Sequence, residues 1–111
     1  MIKTIGKKIE AALSLVKPPI RQFEIFASET GLDQTYVIRI VTSSWANMDK
    51  ARRIAKVESL FSPALSESER ERIFRISVLT PQEWETVRPD LIGSKMLRIR
   101  SNKATAISVR N

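Results

Sequence analysis

Two runs of β-branched and aromatic residues, 20–28 and 35–42, are separated only by Glu29 to Gln34, and this short link limits the fold more than any other feature. Parallel strands need a crossover of a dozen or more residues, so two strands joined this closely meet as an antiparallel hairpin. Gly31-Leu32-Asp33-Gln34 supplies the loop. With 111 residues the chain is one domain by length, and 42% apolar with 28% charged residues is ordinary for a globular fold.

The rest of the chain is read around that hairpin. Ile5, Ile9, Ala12, Leu13 and Val16 recur at helical spacing with Lys8 on the other side, which predicts an amphipathic helix over residues 4–16 stopped by Pro18 and Pro19. Asn47 is a plausible cap or turn residue for a helix whose core stripe is Ala51, Ile54, Ala55, Val57, Leu60 and Phe61, with Arg52, Arg53 and Lys56 facing solvent. Ser62-Pro63 reads as a break that opens a short charged helix through Arg72. Residues 73–79 form a third strand. Thr80-Pro81-Gln82-Glu83 then has the residues of a capping box and starts a helix carrying Trp84 and Val87. Met96 to Arg100 and Ala104 to Val109 alternate around Ser101-Asn102-Lys103, which suits a second hairpin or, in its place, a flexible basic tail.

Cysteine and histidine are both missing from the sequence. Disulfides, thiolate metal sites, thiol nucleophiles and the usual general base go with them. No cofactor and no metal site are expected. Ser28, Ser43 and Ser44 have no histidine to activate them, and Glu67, Glu69 and Glu71 spread around a short helix, where ion pairs with Arg70 and Arg72 account for them better than catalysis. A non-enzyme is the expectation. No stretch reaches the roughly 20 apolar residues of a membrane span. Residues 1–16 carry Glu10 and run into Lys17-Pro18-Pro19, unlike a signal peptide, so cytoplasmic residence without membrane association is the default.

The net charge of +7 is uneven, with +3 over residues 1–28, −1 over 29–87 and +5 over 88–111. Two basic ends around a balanced middle suit contact with a polyanion, and equally suit solubility and edge protection. The candidate nucleic-acid-binding residues are Lys50, Arg52, Arg53 and Lys56 on the helix, with Arg98, Arg100 and Lys103 near the C-terminus. Candidate partner-binding residues are Trp45, Met96 and Ile99; Trp45 is also well placed for packing, and Trp84 is read as core.

The block from Tyr36 to Leu60 resembles the BolA-like family, which has a strand ending in Ser, then an aromatic, a Gly and an Arg-His pair opening a helix. Here Thr42, Trp45, Asn47 and Arg53-Ile54 stand at those positions, and Val57 and Leu60 follow at the family's offsets. The Ile73 to Trp84 block, ending Thr80-Pro81-Gln82-Glu83-Trp84, is similar to the family's third strand and following helix, and the resemblance spans about residues 5–88. It implies an α+β, class II KH-related α-β-β-α-α-β-α domain with a three-stranded mixed sheet, the third strand parallel, over residues 1–91. A basic extension over 92–111 would add a hairpin or tail.

Family members that share an iron–sulfur cluster with monothiol glutaredoxins use a strand histidine, replaced here by Phe74, and a loop ligand that Glu29 to Gln34 lack. Ser44-Trp45-Ala46-Asn47 is also not the GxxG of a nucleic-acid-clamping KH domain. The resemblance therefore implies a regulatory or accessory protein without cluster chemistry. One expectation is nucleic-acid binding through the basic helix and C-terminus. The other is a protein-interaction module, docking a glutaredoxin-like partner without ligating its cluster, or forming a homodimer through the C-terminal hairpin.

Overall fold

The computed structural model describes residues 2–16, 20, 22–32, 34–87 and 96–100, the Met96 side chain excepted. Along the chain run α1 (Ile2–Ser14), β1 (Glu24–Glu29), β2 (Tyr36–Val41), α2 (Lys50–Ala64), α3 (Glu67–Glu71), β3 (Ile73–Leu79), α4 (Pro81–Val87) and β4 (Met96–Arg100). The four strands form one mixed α+β sheet in the order β3-β2-β1-β4. β1 and β2 are antiparallel, as their short link requires, and their loop turns at Gly31, where φ is +93°. β3 runs parallel to β2 after the α2–α3 crossover.

The expected three-stranded sheet is corrected to four strands. Residues 96–100 pair antiparallel with β1, placing Glu24 opposite Arg100 and Phe26 opposite Arg98. Leu97 and Ile99 join the main core beneath α1, where a Cβ on Gly6 would stand 2.7 Å from Ile99 Cδ1. The second half of the expected hairpin, Ala104 to Val109, lies outside the described residues.

Strand alternation sorts side chains between two faces. On one face Ile25, Ala27, Ile38, Ile40 and Val78 pack with Ile5, Ile9 and Leu13 of α1 and with Val57 and Phe61 of α2. On the other face a second, smaller cluster of Phe26, Val41, Leu79 and Trp84 seats α4. Trp84, read as core, is buried there and stacks on Phe26 with ring centroids 4.2 Å apart. The Thr80 cap forms as read: the Thr80 N–H donates to Glu83 Oε1 (2.8 Å) and the Glu83 N–H to Thr80 Oγ1 (3.2 Å).

Several local readings are corrected. Of the two roles read for Asn47, it takes the turn, and the α2 cap is Asp49, with its carboxylate accepting from the Arg52 N–H. Pro63 does not break the helix, because it lies in the last turn, where its missing N–H deprives only one near-terminal carbonyl. Ser66 caps α3 reciprocally with Glu69. The α2 stripe is Arg53, Val57 and Phe61, flanked by partly buried Ile54 and Leu60, while Ala51 and Ala55 are exposed. The expected pairs within Glu67–Arg72 are replaced by longer ones. Glu69 is buried and holds Lys8 at 2.9 Å, Arg70 donates to the Ser62 and Leu65 carbonyls, and Arg72 reaches Gln34.

Candidate nucleic-acid interface

Arg53 is the main departure from the expected basic helix face. Its position, four residues before Val57 and eight before Phe61, puts it on the buried side of α2, where it is 5% exposed. Its Nε donates to the carbonyls of Trp45 (3.1 Å) and Met48 (2.9 Å). Its Nη1 donates to Val78 O (3.2 Å) and to Glu83 Oε1 (2.7 Å). One guanidinium thus ties the 45–48 turn, the end of β3 and the α4 cap together. The Thr80 backbone N–H and then Arg53 hold the Glu83 carboxyl below its ordinary range. An arginine this buried, with its Nε and Nη1 donors engaged, is turned away from any phosphate at the surface, and its expected solvent position is corrected.

Trp45 is likewise buried, at 5% exposure, with the Lys56 ammonium 5.9 Å from its ring centre. It packs against protein and presents no free ring to a partner. Ile99 faces the main core, so it is also not an outward contact. The Met96 side chain and Lys103 lie outside the described residues. What remains on α2 is Lys50, Lys56 and Arg52, the last 3.8 Å from Asp49.

Arg98 and Arg100 do face outward, but from the side of the sheet opposite α1 and α2. Leu97 and Ile99 between them enter the helix-covered core, so the arginines alternate onto the other face. The two basic groups expected to act together are therefore separated by the sheet.

The sheet face brings Arg98 and Arg100 together with two arginines that sequence reasoning did not single out. Register places Leu79, Val41, Glu24 and Arg100 in one row across the four strands, and Ser77, Arg39, Phe26 and Arg98 in the next. Arg75 and Val37 share the row beyond, with Arg75 diagonal to Arg39. Glu24 accepts from Arg98 (2.6 Å) and Arg100 (3.2 Å). Arg39 and Arg75 make no ion pair with any described residue. Partial burial, and then the neighbouring Arg75 charge, lower the Arg39 pKa, yet a guanidinium remains a cation at neutral pH. The missed signal was period-two spacing: Arg39 alternates with Ile38 and Ile40, and Arg98 with Leu97 and Ile99.

Among the described residues only α4 stands on this face, at one end. Between α4 and the β1–β4 edge lies a cleft of about 420 Å³ whose lining includes Glu24, Thr42, Ser43, Trp84, Arg98 and Arg100. No group of three or more carboxylates among the described residues gathers to hold a metal ion, and no described helix is long and apolar enough to cross a membrane.

No family model and no solved structure matches the chain. Among curated proteins, a glycerol kinase of Lactobacillus delbrueckii subsp. bulgaricus is 30% identical over 70 residues, which is 63% of this chain and 12% of the kinase. The chain thus spans about an eighth of the length of the relative it matches, and the similarity carries no activity to it.

Proposed function

We propose that the chain is a divergent BolA-like, class II KH-related domain that binds nucleic acid without catalysis, as a regulatory or accessory protein. The element order through α4 and the parallel β2–β3 pair support the family reading. The observation that carries the binding reading is the open sheet face, where Arg39 and Arg75 meet no acid among the described residues. Two like charges held together are relieved by an external anion, and phosphodiesters supply one. Fluorescence anisotropy with a labelled oligonucleotide tests the reading. Affinity is expected to fall steeply with salt through counterion release. No binding at low salt would overturn it.

A second reading has its own support. β3 is an edge among the described strands, and Phe74, at its irregular start, is 63% exposed. Such an edge can add a strand from a second copy. Sedimentation of the wild type and Phe74→Glu tests this: a dimer that the substitution splits supports it, and a monomer at all concentrations dismisses it.

A further inference from the structure

We infer that the open face takes single-stranded rather than double-stranded nucleic acid, with phosphates on Arg39 and Arg75 and one unstacked base against Arg98 in the cleft beside α4. The inference rests on the nucleic-acid reading above and narrows it. Arg75, Arg39 and Arg98 lie on β3, β2 and β4, so the cations cross the whole sheet. At roughly 4.8 Å per strand the line is about 14 Å long, a track for the backbone of one chain crossing the strands.

The cleft supplies the second, independent observation. It is an open groove of about 420 Å³ between β4, the start of β1 and α4. Its lining residues include Thr42 and Ser43, Glu24 and Glu85, and Arg98 and Arg100, a mixture of donor and acceptor types that a base edge can meet. A duplex can fill such a cleft only by extruding a base, at a cost of a few kcal/mol, and a single strand has little of that cost. Stacking falls to an arginine, because Phe26 and Trp84 are buried against each other. The Arg98 guanidinium lies 5.5 Å from the Phe26 ring centre, which braces it, and its side chain stays 49% exposed. A guanidinium plane stacks on any base, so binding is expected to tolerate sequence.

The test is anisotropy on a labelled 12-nucleotide single strand of mixed sequence and on its duplex, at one salt concentration. The single strand is expected to bind about tenfold tighter or better, given the unstacking cost to the duplex. Arg39→Gln/Arg75→Gln is expected to weaken the single strand about tenfold and flatten its salt slope by roughly 1.4, two phosphates' worth. Arg75→Gln alone, at an exposed site, keeps the test open if the double variant misfolds; it should flatten the slope by about 0.7. Lys50→Gln/Arg52→Gln on α2 should leave the affinity unchanged. Inorganic phosphate at matched ionic strength is expected to compete no better than chloride.

A duplex bound as tightly as the single strand, a loss that follows the α2 variant, or displacement by phosphate alone would overturn this inference while nucleic-acid binding stands. Binding of neither form at low salt would instead remove the nucleic-acid reading beneath it.

Discussion

The two faces of the sheet share every backbone hydrogen bond yet carry opposite surfaces. Ile25, Ile38, Ile40 and Val78 on the helix-covered face are 2% exposed or less. Among the described residues, Arg39, Arg75, Arg98 and Arg100 share the other face with Glu24, Val37, Ser77 and a small apolar cluster under α4. Apolar burial of this kind contributes roughly 25 cal/mol per Å², so the helical face supplies most of the stability. The open face contributes less, and Arg39 and Arg75 even oppose folding slightly through mutual repulsion. Stability and the proposed binding surface therefore separate by face, and each substitution can be assigned to one side.

The largest effect is expected on the helical face. Ile38→Ala, at a site with no solvent exposure, should cost about 3 kcal/mol in chemical denaturation and leave oligonucleotide affinity per folded molecule unchanged. Arg53→Met should cost about 2 kcal/mol, because four backbone carbonyls and Glu83 lose their shared donor. Were Arg53 a phosphate ligand, the substitution would instead weaken binding at unchanged stability.

Acid should act on the same supports. Lys8 and the Ser66 backbone lower the Glu69 pKa, and the Thr80 backbone and Arg53 lower that of Glu83. A depressed folded-state pKa stabilises fully above the unfolded carboxylate value of about 4.3 and is lost as pH falls through the folded value. Denaturation midpoints are therefore expected to be flat near neutrality and to drop below about pH 4.3. In Glu83→Gln that acid drop should shrink; an unchanged drop would mean that Glu83 titrates alike in both states.

The smallest stability effect belongs to the open face. Arg39→Gln should shift folding by under about 1 kcal/mol, and upward, by removing a partly buried charge beside Arg75. A large destabilisation would show that Arg39 holds the sheet together.

How much of this was legible follows from the same division. The hairpin, the Ile73–Leu79 strand and the Thr80 cap were read directly, because link length, β-branching and the cap residues are local signals. Arg53 was misplaced because a charge within a helical stripe reads as surface, and only the converging carbonyls of Trp45, Met48 and Val78 make its burial favourable. The Ser62-Pro63 break was misread because a proline tolerated in a final turn has the same local sequence as one that starts a helix. Period-two spacing marks Arg39 as facing away from Ile38 and Ile40, but its meeting with Arg75 comes only through the parallel register, which no local pattern encodes.

The central claim is that the open face, not the α2 face, is the binding surface, and mapping backbone amide shifts during titration with a single-stranded oligonucleotide tests it most directly. The largest changes are expected on Arg39, Arg75 and Arg98 and around the Ser43 end of the cleft, with residues 50–56 of α2 unmoved. Changes concentrated on Lys50, Arg52 and Lys56, with β2, β3 and β4 silent, would contradict it.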